Sequence, residues 1–293
     1  MTVPANWALQ KPQQQMDPKL FDRLNAEGNL THMRKYNGFR AHVLTGPAGA
    51  TIWSRSWSID YTPMFPHLAA QFAGQPEGLL IDAELYVHGV DTTSAIQAAI
   101  NGRGGDMQAR LGVFDMLDID GKLASMSQDR RFQLVEAFTD RLSDDVHRAE
   151  VCDAPTYAAM EDLIRVRDWE GVVTWDRRAA HKLNTNGNVK RGDSWKIKRT
   201  VTEDLVVLRI VGGAGPDMIG AVFHLGRVVE GAIVPAGKVG SWSKDLDLNW
   251  VRSRGSQFIV ETRHFGLDDA GNMEFPKILR GRADLDRDFG LAA

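Results

Sequence analysis

Cysteine is nearly absent: Cys152 stands alone among 293 residues. One cysteine excludes an internal disulfide and a Cys-rich zinc site and fits a reducing cytoplasm. Cys152 itself reads as a small buried hydrophobe. Long apolar runs are missing too: none approaches the roughly 18 residues of a spanning helix, and short runs such as Gly78 to Ile81 and Leu111 to Phe114 read as strands. Met1 to Met16 is polar and Gln-rich, without the basic-then-apolar pattern of an export signal, so the expectation is a cytoplasmic protein with no membrane partner. Several common catalytic signatures are also missing. There is no HExxH pair and no GxSxG elbow. Gly231 to Lys238 has the wrong spacing for a phosphate-binding loop, and Val239 stands where a Ser or Thr must hold magnesium. Asp118-Ile119-Asp120-Gly121 reads as a tight turn, because the flanking ligand positions of a calcium loop are Met116 and Ser127.

What is there describes a folded globular chain, with 43% hydrophobic and 25% charged residues over a length that suits two domains. The formal charge of −3 hides an uneven distribution. Arg177 to Arg199 gathers Arg177, Arg178, Lys182, Lys190, Arg191, Lys196, Lys198 and Arg199 against Asp193 alone, inside an otherwise acidic stretch. Such a segment is either a solvated loop or one face that grips a polyanion.

Periodicity predicts a helix over Pro18 to Ala26, then a hairpin of Phe39 to Leu44 and Thr51 to Arg55 around Gly46-Pro47-Ala48-Gly49. Strands at Leu79 to Val87, Leu111 to Met116 and Gly171 to Trp175 alternate with helices at Thr92 to Ile100, Ser127 to Leu142 and Thr156 to Arg167. Ser127 and Thr156 are placed as caps. This mixture gives an α/β or α+β domain over residues 1–201. After Thr200 the pattern turns to short strands (Leu205 to Ile210, Ile219 to Leu225, Arg227 to Val229, Phe258 to Thr262) separated by Gly-rich turns. Residues 202–293 therefore read as a small barrel, of which an OB-fold is one kind.

Six short motifs are placed at strand ends. Lys35-Tyr36-Asn37-Gly38-Phe39-Arg40 puts a lysine before a turn, a glycine for close backbone approach and an arginine at a strand start, which suits a nucleophilic amine facing phosphate. Ser54-Arg55 offers a cation, Ile81-Asp82-Ala83-Glu84-Leu85 an acidic group inside an apolar strand, and Phe114 an aromatic face. Glu170-Gly171-Val172-Val173 and Lys196-Ile197-Lys198 follow. The Lys-x-Lys alternation points both ammonium groups to one face of a strand, where they can clamp a triphosphate. Each motif taken alone also reads as ordinary surface or core.

In this order the motifs resemble those of the covalent nucleotidyltransferases: ATP-dependent DNA ligases, RNA ligases and messenger-RNA capping enzymes. Lys35 to Arg40 resembles their signature Lys-x-Asp-Gly-x-Arg, and the later motifs match Asp82 to Leu85, Phe114 to Leu117, Glu170 to Val173 and Lys196 to Lys198. Gly237 to Ser241, Glu261 to Gly266 and Phe275 to Asp284 resemble the OB domain and final motif of DNA ligases in particular. The fold implied is α+β, an adenylyltransferase domain (ATP-grasp-like, antiparallel-sheet) followed by an OB-fold β-barrel domain. Three residues depart from the pattern: Asn37 for an Asp, Met33 where an adenine-contacting acid often lies, and Leu285 for a Lys.

The resemblance implies an ATP-dependent DNA ligase of a minimal two-domain bacterial or phage type. Lys35 takes AMP from ATP and expels pyrophosphate, AMP passes to a 5′-phosphate at a nick in duplex DNA, and the 3′-hydroxyl displaces it. A lysine of ordinary pKa, about 10.4, must lose its proton first, through burial, nearby cations or metal. By the same analogy Arg40, Arg55 and Glu84 hold the nucleotide, Phe114 stacks on adenine and one of Val172 and Val173, with Val173 the choice, closes the pocket. Lys196 and Lys198 take the phosphates, and Glu170 with Glu84 holds Mg2+ (or Mn2+). Arg280 and Arg282 orient the leaving pyrophosphate after movement about a hinge at Thr200 to Asp204. Contacts to DNA are expected from Arg177, Arg178, Lys182, Lys190, Arg191 and Lys238, with a loop tip at Thr185-Asn186-Gly187-Asn188. A monomer is expected from the family. An RNA ligase, a capping-type guanylyltransferase and a non-catalytic nucleic-acid binding protein remain the alternatives.

Overall fold

The computed structural model describes residues 11–12, 15–90, 92–103, 108–181, 190–191, 193–267 and 271–285, with backbone only at 11, 190 and 191. The chain divides into two compact units, Met1–Lys198 and Arg199–Ala293. Among the described residues no helix is long and apolar enough to cross a membrane.

The first unit opens with β1 (Lys11–Pro12) and α1 (Pro18–Ala26). Asp17 caps α1 by accepting the Leu20 N–H, Pro18 begins it, and Phe21 and Leu24 are its buried residues. Then come β2 (Leu30–Lys35), β3 (Phe39–Gly46), β4 (Gly49–Ser54), α2 (Pro66–Ala70), β5 (Leu79–Val87), α3 (Thr93–Ile100) and β6 (Ala109–Asp118). They are followed by α4 (Gln128–Thr139), β7 (Val146–Arg148), β8 (Val151–Cys152), α5 (Tyr157–Val166), β9 (Gly171–Asp176), β10 (Lys190–Arg191) and β11 (Ser194–Lys198). Ser127 and Thr156 cap α4 and α5 as expected, accepting the Arg130 and Ala159 N–H groups. Cys152 is half-buried, and burial pushes its thiol up to about 12.

Two sheets organise this unit. One runs β11-β9-β2-β8 and the other β4-β3-β5-β6-β7; all pairings in them are antiparallel except β6 with β7. The chain passes from the first sheet to the second in the three residues between Lys35 and Phe39. Gly38 is required there: a Cβ would lie 2.3 Å from the Leu85 carbonyl oxygen on β5. The lysine motif is thus the seam between the sheets. Asp118 to Gly121 is the expected turn, closed by the Gly121 N–H on the Asp118 carbonyl.

In the second unit β12 (Val201–Val211), β13 (Val222–Val229), β14 (Ala232–Val239), α6 (Leu248–Arg254), β15 (Phe258–His264) and β16 (Lys277–Gly281) form an antiparallel sheet of order β14-β13-β12-β15-β16. Its core includes Leu205, Phe223, Leu225, Phe258, Val260 and Ile278, with Val251 from α6. A parallel bridge between Trp242 and Ile278, where the Ser243 N–H donates to the Ile278 carbonyl at 2.7 Å, brings the chain just past β14 against β16 at the opposite end of the strand order.

Three expectations change. Ile219 to Leu225 and Arg227 to Val229 are not separate strands but meet in β13, which begins at Val222. β2, β14 and β16 are strands that periodicity did not mark. The proposed hinge at Thr200 to Asp204 is largely strand, because Val201 to Asp204 pair with His264 to Glu261. Only Arg199 and Thr200 lie between β11 and β12.

Candidate active site

On the first sheet, Lys35 at the end of β2 and Lys198 at the end of β11 both register against Gly171 at the start of β9. Gly171 permits this: a Cβ there would stand 2.3 Å from the Ile197 carbonyl oxygen. Glu170, just ahead of it, receives both lysines, with Lys35 Nζ 2.5 Å from Oε2 and Lys198 Nζ 3.0 Å from Oε1. Lys35 Nζ also lies 3.5 Å from the Tyr36 carbonyl oxygen. Lys196 belongs to the same group. Burial, then the positive charges of Lys35 and Lys198, hold its pKa below the usual lysine range.

On the second sheet, Arg40 of β3 registers opposite Glu84 of β5 and is gripped at both ends by buried Asp82. Arg40 Nε donates to Oδ1 at 2.8 Å and Nη2 to Oδ2 at 2.5 Å. Burial works against the guanidinium charge, but Asp82 outweighs it and the pKa is raised. Burial likewise raises Glu84, to about 7, although Lys35 and Arg40 pull it down. The Arg40 guanidinium carbon lies 5.6 Å from the Phe114 ring centroid, and Phe114 lies 6.5 Å from Trp175.

Between the sheets is a pocket of about 510 Å³. It brings together seven of the residues read from the sequence: Lys35, Arg40, Arg55, Glu84, Phe114, Val173 and Lys196. Val173, not Val172, faces it; Val172 is fully buried in the core. Glu170 joins through its bond to Lys35, and Lys198 through its bond to Glu170. The pocket has two kinds of wall. Met33, Phe114, Val173 and Trp175 belong to one apolar cluster, whereas Lys35, Arg40, Arg55, Lys196 and Glu84 carry charge. A flat heterocycle joined to an anion matches that division.

Sequence reasoning missed Asp82 as the counter-ion of Arg40, and Ser54, Tyr61, Trp175 and Pro12 as pocket wall. An aspartate in the run Leu79 to Leu85, where Glu84 is the other charged residue, was the available signal for the first, since a buried carboxylate needs a cation.

The remaining candidates lie elsewhere. Arg177 pairs with Asp129 at 2.7 Å and Arg178 with Asp176 at 3.1 Å. Lys238 is exposed on β14, opposite His224 of β13, which in turn registers with Arg209 of β12. In the second unit Arg280 holds Glu261 at 2.5 Å, and Arg282 holds both Asp204 and Asp284 at 2.9 Å. Lys182 and the Thr185 to Asn188 tip lie outside the described residues, as do the side chains of Lys190 and Arg191.

No family model and no curated protein matches the chain. Solved structures do. The ligase domain of DNA ligase D from M. tuberculosis is 19% identical, with TM-score 0.57 and 96% of each chain covered. A mycobacterial DNA ligase D complexed with ATP and MES is 20% identical, with TM-score 0.57 and again 96% of each chain covered. A Lig E DNA ligase, described as binding DNA with a minimal scaffold, is 17% identical with TM-score 0.63, covering 94% of this chain and 99% of its own. At these identities the likeness is one of fold, and in fold this chain resembles the ATP-dependent DNA ligases.

Proposed function

We propose that the chain is an ATP-dependent DNA ligase that seals nicks in duplex DNA through a covalent AMP on Lys35. The observation that carries this is one arrangement: an amine at the seam of two sheets, a carboxylate 2.5 Å away, two further lysines, and an apolar, aromatic wall on the same pocket. Residues 1–201 then act as the adenylyltransferase domain and 202–293 as an OB-fold. The strand order, the Trp242–Ile278 bridge and α6 between β14 and β15 support the latter reading.

In the first step Lys35 Nζ forms a bond to the α-phosphorus of ATP, the bond to the bridging oxygen breaks, and pyrophosphate leaves with that oxygen. Glu170 Oε2 is the acceptor nearest the amine proton. Phe114 and Trp175 offer faces to the base, and Val173 bounds the slot. Lys196 and Lys198 oppose the phosphate charge, with Arg40 and Arg55 on the nucleoside and α-phosphate. Arg280 and Arg282, paired with Glu261, Asp204 and Asp284 within the second unit, are the residues that the resemblance assigns to the departing pyrophosphate. The 5′-phosphate at the nick then takes AMP from Lys35, and the 3′-hydroxyl displaces it.

A divalent cation fits the donors present. Glu84 and Glu170 supply hard carboxylate oxygens close enough for Glu170 to raise the Glu84 pKa. Among the described residues no group of three or more His, Cys, Asp or Glu that could hold a metal ion is found. Bound there, Mg2+ or Mn2+ neutralises phosphate charge.

The test is intact-protein mass spectrometry after pyrophosphate treatment has stripped any resident AMP. Wild type and Lys35→Ala are incubated with ATP, GTP or NAD in the presence of magnesium, and nicked DNA and nicked RNA are then supplied. We expect an AMP adduct from ATP on wild type alone, discharged by nicked DNA. A GMP adduct, or discharge by RNA only, selects a capping-type enzyme or an RNA ligase. No adduct from any donor removes the catalytic reading.

A further inference from the structure

The residue after the lysine is an unassigned part of the site. Tyr36 occupies the three-residue crossing between the sheets, yet its side chain is only 4% exposed and reaches three strands of the second sheet. Its ring stacks on Tyr86 of β5 with centroids 4.4 Å apart. It also lies over Gly112 of β6, where a Cβ would come within 2.8 Å of Tyr36 Cε2. Its hydroxyl stands 3.3 Å from His147 Nε2 at β7 and accepts the Glu150 N–H at 3.3 Å. Tyr86 brings its own hydroxyl to the same His147 nitrogen at 3.2 Å. His147 Nδ1 lies 3.2 Å from the Asp144 carbonyl oxygen and donates to it, which leaves Nε2 to accept from the two phenols.

This packing bears directly on the site. Gly112, which the ring covers, is the register partner of Glu84, and Tyr86 is two residues from Glu84 on the same face of β5. On the other side, Tyr36 is bonded to Lys35 through the chain, and its carbonyl oxygen meets Lys35 Nζ. Arg34, on the far side of the lysine, stacks over the same ring at 4.8 Å. Lys35 hangs from one sheet and Glu84 and Arg40 from the other, and Tyr36 is the side chain that spans the two next to the nucleophile.

We propose that Tyr36, seated over Gly112 and bonded to His147, is a positioning residue that sets the Lys35 amine for attack against the groups of the second sheet. The inference rests on the lysine-AMP reading. Tyr36 also borders the pocket; a residue that acts there by aiming the nucleophile rather than by holding the nucleotide lowers the rate of AMP transfer at saturating ATP and leaves ATP affinity intact.

The test is the single-turnover rate of AMP transfer to Lys35 and the KM for ATP in Gly112→Ala, Tyr36→Leu, their combination and Tyr36→Phe, with thermal melting to confirm folding. Gly112→Ala adds one methyl in the slot and removes no functional group. We expect it and Tyr36→Leu each to slow transfer by about tenfold or more with KM within about twofold. In the combination the two losses are less than multiplicative, because the shorter side chain makes room for the methyl. Tyr36→Phe keeps the stack and falls by only about threefold. Unchanged rates in well-folded variants, a KM that rises with the loss of rate, or losses that simply multiply would overturn the proposal. An absent adduct in wild type overturns the catalytic reading beneath it, whereas a normal wild-type adduct with indifferent variants overturns the positioning role alone.

Discussion

Glu84 titrates where small changes of pH matter. Burial moves its pKa from 4.5 to about 7, so the folded state favours the protonated carboxyl. Between these values the folded chain binds more protons than the unfolded one, and the stability contributed by Glu84 is lost as pH rises from about 4.5 to about 7. Above that range the carboxylate is the form that holds a cation. Manganese binding, followed by electron paramagnetic resonance, is therefore expected to tighten as pH rises through about 7. The step should vanish in Glu84→Gln. An unaltered pH dependence in that variant would remove Glu84 from the proposed cation site. At this scale the sequence was informative about chemistry and poor about partners. Lys35, Glu84, Phe114 and Lys196 were singled out by the order of their motifs rather than by any one of them, and the fold brings them to one pocket. The Arg40–Asp82 pair was not, since its members are 42 positions apart and only the β3–β5 register joins them.

Elements built on glycine are equally exacting. Gly171 lets β9 pass between two lysine-bearing strands, and a methyl 2.3 Å from the Ile197 oxygen must push β11 away. Gly171→Ala is expected to cost about 2 kcal/mol, the overpacking penalty of a tight interior. Because Lys198 then retreats from Glu170, AMP transfer falls more steeply than the melting temperature alone explains. A melt and a transfer rate both like wild type would mean that the strands yield without consequence. Helices α1, α4 and α5 were legible from their caps and spacing. β14 was not: it carries Pro235 and Gly237, and Ala232 to Pro235 are all exposed, so no alternation marks it. It stands at one end of the strand order, where proline is tolerated. β2 escaped because His32 and Met33, adjacent and on opposite faces, are both buried.

Over the whole molecule, the basic segment from Arg177 to Arg199 remains the expected grip on duplex DNA, and charge of this kind leaves a signature in salt. Nick affinity measured by fluorescence anisotropy should fall linearly on a log–log plot against salt. Replacing Lys182, Lys190 and Arg191 by Ala should weaken it on every sequence and lower the slope by about one per lost phosphate contact. Arg177 and Arg178, already held by Asp129 and Asp176, should matter less. Binding indifferent to the triple replacement would move the interface elsewhere. The division into two units could be read from the change in pattern near residue 200. The hinge could not, because strand pairing from Val201 onward is a property of β15, some sixty residues later.

The amino-terminal segment has a practical consequence. Pro12 lines the pocket between the two sheets, the Met16 N–H donates to the Lys196 carbonyl, and Gln15 Oε1 accepts the Lys198 N–H. A tag joined directly to Lys11 would begin one residue from that pocket wall, so AMP transfer is expected to differ between protein tagged there and untagged protein.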